Sequence, residues 1–300
     1  MRNARLSDEM LRQAGVIVLV LVGGLAVVSA QRDNHSRDTA SNRARSPMVR
    51  LPGGIVTIGV DQDEIARFQK IFSITVRQLF EESVPKHKVR LQSFFIDKYL
   101  VTNSQFWEFT KKHPEWQPGK IPPEFDNGNY LKDWENGSFP EGRANHPVVN
   151  VNWYAASAYC RAQGKRLPAE AEWEYASRGG LTAPLFPWGD EPANPERANY
   201  SAAKLHTTSS VGSHPPNGYG IYDMAGNVWE FTADEWAKYP EMPRSEPTPR
   251  RATRSSSEVR TRRVIRGGSF DGDPINLWVE YRDSHPPNGS QPFVGFRCAK

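Results

Sequence analysis

The stretch that decides the fold runs from Pro216 to Trp236 and reads Pro-Asn-Gly-Tyr-Gly-Ile-Tyr-Asp-Met-Ala-Gly-Asn-Val-Trp-Glu-Phe-Thr-Ala-Asp-Glu-Trp. Its dipeptides Asn217-Gly218 and Gly226-Asn227 tolerate left-handed backbone, so we expect the chain to bend on both sides of Asp223. The bends would bring Asp223, Asn227 and Glu230 together. Oxygen donors at this spacing suit Ca²⁺ better than a transition metal. The alternative is a polar loop held by hydrogen bonds between side chains and backbone.

The composition fits a compact, loop-rich protein. A chain of 300 residues with 38% hydrophobic residues, nine tryptophans and 24 prolines can bury the core of one large domain or two small ones. The net charge of +4 is modest for this length, so no nucleic-acid partner is expected. Only two cysteines occur, Cys160 and Cys298. They exclude a cysteine-rich zinc module and leave either one disulfide or two buried thiols.

The first 30 residues have the order of a secretory signal. Three arginines precede an apolar run from Val16 to Val28, and the run ends in small residues before a polar segment. Because the run is short for a membrane span, we predict a cleaved signal peptide, with an N-terminal membrane anchor as the alternative. Either outcome places the rest of the chain outside the cytoplasm, in the periplasm or at the cell surface. Residues 31–48 are predicted to be a disordered linker.

Residues 49–300 are predicted to form one domain of short strands and helices. Residues 49–59 read as strands on either side of a Gly-Gly turn, and residues 89–97 as a further strand. Between them, apolar residues at helical spacing predict a helix with one buried face over residues 61–82. That face carries Ile65, Phe68, Phe72, Val76 and Phe80.

Three further helices carry terminal signals. Thr102 or Asn103 can cap a helix that runs to residue 112, and Asn152 can cap another that runs to residue 163. Pro168 opens a third, which is expected to end at Gly179-Gly180.

Three long segments lack periodicity and are predicted to be loops. Residues 113–146 are expected to form a surface lid rather than core, and residues 181–215 a second ordered loop. Residues 241–266 hold eight arginines against three glutamates and are expected to be a solvated loop, with an acidic partner as the alternative. Short strands are predicted over residues 264–270 and 294–298.

The order of nine motifs over residues 48–300 resembles the formylglycine-generating enzyme, or sulfatase-modifying factor, family. The resemblance implies a compact α+β fold with little regular secondary structure, related to C-type lectins. The motifs are Leu51-Pro52-Gly53-Gly54, Pro85-Lys86-His87-Lys88-Val89, Val101-Thr102-Asn103, His146-Pro147-Val148 before Trp153, Gly164-Lys165-Arg166-Leu167-Pro168 with Glu170-Ala171-Glu172-Trp173-Glu174-Tyr175, Phe186-Pro187-Trp188-Gly189, the opening stretch, Arg266-Gly267-Gly268-Ser269-Phe270 and Gly295-Phe296-Arg297-Cys298.

The resemblance also implies structural Ca²⁺ and one disulfide. The expected ligands of the first calcium site are Asp223, Gly226, the Val228 carbonyl and Glu230. A second site would use Asn199 and Tyr200, although the segment that carries its acidic ligands in the family is shorter here. The family pairs the cysteines that match Cys160 and Cys298, which is consistent with an exported chain.

The chain departs from the family at its reaction centre. The resemblance places the two catalytic cysteines, which bind copper(I) and attack the substrate cysteine, at Gly272 and Leu277. Neither residue can form a thiolate, ligate a soft metal or exchange a disulfide. Copper is therefore not expected, and no catalytic residue is assigned.

Carboxylates and aromatic residues surround these two positions. They predict a cleft for a cationic or peptide ligand, and the alternative is loop packing with acids at the surface. The predicted pocket comprises Phe270, Asp271, Asp273, Asn276, Trp278, Glu280, Tyr281 and Arg282, and the resemblance adds Trp229 and Ser269, which match residues that line the family's pocket.

Three functional hypotheses follow. The first is an exported, non-catalytic ligand-binding or scaffold domain for an envelope protein, peptide or glycan, with membrane contact only through an uncleaved N-terminal segment. The second is an oxidoreductase of the formylglycine-generating or non-haem-iron oxidase superfamily, acting on a peptide or protein. An iron site needs two histidines and a carboxylate on one face, and the histidines here are scattered. The third is the full formylglycine-generating reaction, which motif content supports and the substituted cysteines oppose.

Overall fold

The computed structural model describes residues 46–239 and 261–300. The predicted signal, most of the predicted linker and most of the arginine-rich segment 241–266 lie outside these ranges. Residues 47–300 group into one unit by their contacts. Within the described ranges, no helix is both long and apolar enough to cross a membrane.

Two antiparallel strand pairs open the domain. Strand β1 (Met48–Leu51) pairs with β4 (Phe94–Asp97), and β2 (Gly54–Ile58) pairs with β3 (His87–Leu91). The prediction of one strand over residues 89–97 is therefore wrong, because the chain turns between β3 and β4. Gly53 packs against that turn so closely that a Cβ atom would lie 2.5 Å from the Leu91 carbonyl oxygen.

A four-stranded sheet lies in the C-terminal half. It contains β5 (Trp229–Glu235), β6 (Arg263–Arg266), β7 (Asp283–His285) and β8 (Val294–Gly295), in the order β7-β6-β5-β8. The β5–β8 pairing is parallel and the other two pairings are antiparallel. The sheet includes the end of the Pro216 to Trp236 stretch, since β5 begins at Trp229.

The predicted helix over residues 61–82 is two helices, α1 (Ile65–Phe72) and α2 (Gln78–Glu81). Ser73 adopts left-handed backbone with φ of 55°, which ends α1. After this interruption, the apolar side chains no longer continue the helical spacing that begins at Ile65. Ile65, Phe68 and Phe80 are buried as predicted, whereas Val76 is 52% exposed and its assignment to the buried face is wrong.

The three helices with terminal signals form as predicted. In α3 (Asn103–Lys112), the Thr102 hydroxyl accepts from the Gln105 backbone N–H and the Gln105 side chain accepts from the Thr102 N–H. In α4 (Trp153–Ala162), the Asn152 side chain accepts from the Ala155 N–H. Helix α5 (Glu170–Ser177) follows Pro168. Short 3₁₀ turns cover Pro114–Trp116, Pro123–Phe125, Ser201–Ala203 and Pro274–Leu277.

The loop over residues 113–146 is not a surface lid. Ile121, Tyr130, Leu131 and Trp134 on this loop are all buried and belong to the main hydrophobic cluster. Large apolar side chains can fill core space from irregular backbone, and that packing leaves no periodic signal in the sequence.

One disulfide joins α4 to the C-terminal segment. Cys160 and Cys298 are bonded and fully buried, as the family resemblance implied. Around this bond, the main cluster packs Phe106, Tyr159 and Phe296. The domain is thus an α+β structure with short elements and long packed loops.

Candidate functional site

The chain bends sharply at the predicted positions in the Pro216 to Trp236 stretch. Asp223, Gly226 and Asn227 have φ values of 56°, 77° and 66°, all in the left-handed region. At Gly226 a Cβ atom would lie 2.3 Å from the Asn199 carbonyl oxygen, so only glycine fits there. These bends bring Asp223 near Glu230: burial raises the pKa of Glu230, and the Asp223 charge adds to that rise.

Both carboxylates are buried and partly engaged. Glu230 is fully buried and accepts two hydrogen bonds from the Arg297 guanidinium, at 2.7 and 2.9 Å. Asp223 accepts from the Gly212 N–H at 2.8 Å. Burial raises the pKa of both carboxyl groups, and Arg297 opposes that shift in each case.

Asn227 makes the hydrogen bonds expected of a polar loop. Its Oδ1 accepts from the Ser209 N–H at 2.9 Å and its Nδ2 donates to the Ser209 carbonyl at 3.2 Å. The hydrogen-bonded loop that was the alternative to a metal site is therefore present, and it holds residues 209–212 against Asp223 and Asn227.

The donors of the first predicted calcium site are chemically suited to a hard cation. Asp223 and Glu230 supply carboxylates, and Gly226 and Val228 supply backbone carbonyls. The Arg297 contacts leave each Glu230 oxygen a second lone pair for a metal. Within the described residues, no group of three His, Cys, Asp or Glu side chains converges as a metal site. Backbone carbonyls would therefore have to complete the shell.

The second predicted calcium site retains one unsatisfied oxygen. Asn199 is 1% exposed; its Nδ2 donates to the Thr207 carbonyl at 2.9 Å, and its Oδ1 has no donor among the described residues. An orphaned buried oxygen is costly unless a cation or water meets it. The Tyr200 hydroxyl donates to the Ala193 carbonyl.

The two positions at which the resemblance places the family's catalytic cysteines, Gly272 and Leu277, are packed. Gly272 is enclosed, since a Cβ atom there would lie 3.1 Å from Asn276 Oδ1 and 3.2 Å from the Ser269 carbonyl oxygen. Leu277 is 1% exposed and belongs to the main hydrophobic cluster. The 3₁₀ turn Pro274–Leu277 fixes this geometry, because the Asn276 side chain accepts from the Asp273 N–H at 2.9 Å.

The residues of the predicted ligand pocket fall into two groups. Asp271 and Asp273 are exposed and Asn276 is half-buried. Trp278 packs among three phenylalanines, with its ring centroid 4.6 Å from that of Phe68. The other members are all buried, so the ten residues do not line one cleft: Trp229, Ser269, Phe270, Glu280, Tyr281 and Arg282. Ligand binding at the exposed part stays a prediction.

Arg282 belongs to a buried ionic network that the sequence analysis missed. Its guanidinium meets both oxygens of Glu170, at 2.6 and 3.0 Å, and lies 3.8 Å from the centre of the Tyr239 ring. Arg266 bridges Glu170 at 3.0 Å and Glu174 at 2.7 Å. The available signal was the i, i+4 spacing of the two glutamates on α5.

The prediction of a solvated arginine-rich loop is wrong for Arg266 and Arg263. Arg266 is fully buried in the network, and Arg263 is buried with its guanidinium 4.0 Å from the centre of the Trp153 ring. Both lie on β6, where the sheet orders them. The rest of that prediction concerns residues outside the described ranges.

Glu280 lies at the edge of the network. Burial and the nearby Glu174 carboxylate raise the pKa of Glu280 to about 8, against the opposing effect of Arg178 and Arg266. Its Oε2 has no hydrogen-bond donor among the described residues. A buried carboxyl in this setting holds its proton at neutral pH.

The histidines lie in separate environments. His87 packs edge-on against Tyr239, His146 contacts Arg143 and Thr208, and His285 packs near Phe231. Burial and Arg262 lower the pKa of His285 to about 4. His206 is exposed and His214 is half-buried. In the described part of the chain, no two of them share a metal cluster with a carboxylate.

Comparison with known proteins places this fold in one family. Residues 34–300 match the model of the "Sulfatase-modifying factor enzyme 1-like domain". The chain therefore belongs to the sulfatase-modifying factor family, whose members include formylglycine-generating enzymes.

Individual relatives span the same domain. The chain is 35% identical to the formylglycine-generating enzyme of Thermomonospora curvata, over 84% of this chain and 92% of that one. It is 29% identical to the inactive C-alpha-formylglycine-generating enzyme 2 of Bos taurus, over 84% of this chain and 87% of that one. Among solved structures, PvdO from Pseudomonas aeruginosa matches with a TM-score of 0.61 and 27% identity, over 84% of this chain and 93% of that one.

Proposed function

We propose that this chain is an exported member of the family that does not make formylglycine and instead serves the cell envelope as a ligand-binding or scaffold domain. The observation that carries the proposal is the packing at Gly272 and Leu277. One position has no side chain and little room for one, and the other holds a core leucine. A relative named as inactive supports the idea that this fold persists without that reaction.

The cysteine chemistry supports the same conclusion. The chain contains two cysteines, and both are bonded to each other 138 residues apart in sequence. No thiolate then remains to bind copper(I) or to form a mixed disulfide with a substrate. The residues at the matching positions do not fit copper.

Calcium is proposed as a structural ion. Asp223, Glu230 and the carbonyls of Gly226 and Val228 would hold it, and the unsatisfied Asn199 oxygen supports a second site. When bound, the ion would tie β5 to the preceding loop and offset the charge of two buried carboxylates. It has no catalytic role in this proposal.

The proposed location and partner rest on the N-terminus and the disulfide. Residues 1–30 have a secretory pattern, and a buried disulfide suits an oxidising compartment. An extracytoplasmic protein, peptide or glycan is the proposed ligand class. Asp271 and Asp273 are exposed acids available to it.

The alternative function is an oxidoreductase of the same superfamily acting on a peptide or protein. The similarity to the formylglycine-generating enzyme of Thermomonospora curvata favours it. Such a chain would need a reaction centre other than the cysteine pair. The described histidines and carboxylates offer no three-membered metal group for it.

Copper(I) competition tests the proposed loss of the reaction centre. The full chain would be titrated anaerobically against a chromophoric copper(I) chelator, beside a Gly272→Cys/Leu277→Cys variant. We expect the natural chain to leave the chelator complex intact and the variant to withdraw copper from it. Stoichiometric copper(I) binding by the natural chain with its disulfide intact would overturn the proposal.

A further inference from the structure

A cavity lies away from Gly272 and Leu277. It has a volume of about 240 Å³ and is lined in part by Asp133, Trp134, Arg143, Pro147, Asn150 and Thr208. We call it the Asn150 cavity. Sites for drug-sized ligands occupy about 300–1,000 Å³, so this one suits a smaller molecule. It shares no residue with the Gly272 and Leu277 region or with the predicted calcium ligands.

Asn150 is held rigidly in the cavity wall. It is 1% exposed and has left-handed backbone with φ of 54°. Its N–H donates to the Gln291 carbonyl at 2.9 Å, and its own carbonyl accepts from the Leu131 N–H at 2.7 Å. Its Nδ2 donates to Asp133 Oδ2 at 2.6 Å. Backbone and amide orientation are both fixed.

The Asn150 side-chain oxygen can accept a hydrogen bond that the described residues do not supply. Because Asn150 Nδ2 is committed to Asp133, Asn150 Oδ1 is left with no donor among the described residues. A buried amide oxygen without a partner costs free energy. The adjacent Asp133 carboxylate, on an exposed residue that lines the cavity, adds negative charge. Two acceptor side chains side by side select a cationic donor such as an ammonium group.

Arg143 supplies the opposite charge to the same cavity. Its Nη1 donates to the Thr208 carbonyl at 3.2 Å and lies 3.1 Å from His146 Nδ1, which fixes the guanidinium. No carboxylate of the described chain pairs with it. A guanidinium with donors to spare recognises a carboxylate in a bidentate manner.

We propose that the Asn150 cavity binds a free α-amino acid, with its ammonium group at Asp133 and Asn150 and its carboxylate at Arg143. Trp134 and Pro147 form apolar wall beside the side chain. A neutral sugar would bring no opposite charge to Asp133 or to Arg143. A metal ion would be repelled by Arg143. The inference does not depend on whether the family reaction is retained.

Calorimetric titration of the full chain with each common L-α-amino acid tests the proposal. At least one is expected to bind saturably. Its N-acetyl derivative and its decarboxylated amine should each bind at least roughly tenfold more weakly, because each loses one charged contact. These ligand-side tests require no change to the protein. Calcium chloride alone and glucose alone serve as the competing ligand classes.

Two variants locate the binding. Asp133→Asn should weaken it roughly tenfold or more, whereas Glu135→Gln, an exposed carboxylate two residues away, should leave it unchanged. Binding by no amino acid, equal binding of the N-acetyl derivative, or unchanged binding in Asp133→Asn would overturn the proposal. Saturation by calcium or glucose but by no amino acid would overturn it as well.

Discussion

Glu280 is a buried carboxyl whose chemistry departs from that of its free side chain. It is buried beside Glu174, and the two arginines near it do not offset the cost of burial. Its pKa of about 8 in the fold compares with an ordinary value of 4.5. The folded chain therefore retains a proton that the unfolded chain releases, and the contribution of this group to stability falls as pH rises from about 4.5 to about 8.

Substituting Glu280→Gln should remove that pH dependence. The variant keeps the shape of the protonated carboxyl and cannot ionise, so we expect its free energy of unfolding to decline less than that of the natural chain over the same window. The difference should not exceed about 5 kcal/mol. Urea denaturation across pH measures it, with exposed Glu108→Gln as the control. An identical pH profile for Glu280→Gln and the natural chain would show that Glu280 ionises normally.

Sequence patterns predict the position of some single residues correctly and of others wrongly. Asn152 is predicted as a helix cap, and Thr102 is the one of two candidates, Thr102 or Asn103, that the structure selects; such predictions succeed because capping depends on a few neighbouring backbone groups. Val76 was misassigned because its position depends on the left-handed turn at Ser73. The burial of Arg266 depends on glutamates more than 90 residues away.

Calcium binding by the Asp223 to Glu230 loop can be tested directly. Two buried carboxylates share one arginine there, and a bound cation would balance the remaining charge. We expect chelation with EGTA to lower the melting temperature and added calcium to restore it, because a ligand that binds only the folded state stabilises it.

An Asp223→Asn variant gives the matched control for calcium. It removes one carboxylate and should abolish the response to EGTA while keeping the Gly212 hydrogen bond. Metal analysis of the untreated protein gives the stoichiometry. A melting temperature that does not change with EGTA, in a protein without bound calcium, would identify the loop as held by Asn227 and Arg297 alone.

At the scale of elements, local signals sufficed for the short helices and the bends at Gly226-Asn227. Local sequence signals did not predict which strands pair. The partners of β1 and β2 lie roughly 30 to 50 residues along the chain, and Gly53 packs closely against the break between β3 and β4. The loop over residues 113–146 packs its large side chains without a repeat, so composition suggested surface where the fold has core.

The disulfide is the main covalent constraint on the whole domain. Its loop closes 138 residues, for which chain entropy alone gives a stabilisation of roughly 5 kcal/mol. We expect a Cys160→Ser/Cys298→Ser variant to lose about this much unfolding free energy in guanidinium denaturation. The natural chain under reducing denaturing conditions should match it. A loss below about 1 kcal/mol would mean that the reduced chain keeps the loop closed in its unfolded state.

Across the whole molecule, family, fold class and disulfide could be predicted because ordered motifs carry them. The site could be predicted only in part. The resemblance places the family's catalytic cysteines at Gly272 and Leu277, and the structure shows that the space around these two residues is filled. The buried network of Glu170, Arg266 and Arg282 and the Asn150 cavity join residues far apart in sequence, and no local pattern reports such contacts.

The most direct test of the central claim is mass spectrometry of a cysteine-containing sulfatase-motif peptide incubated with the full chain, copper(I) and oxygen. A Gly272→Cys/Leu277→Cys variant is run beside it, although Asn276 must shift to admit the new side chain at position 272. We predict that the natural chain leaves the peptide mass unchanged. Conversion of the peptide thiol to an aldehyde by the natural chain would contradict the account, because that reaction would then proceed without the cysteine pair.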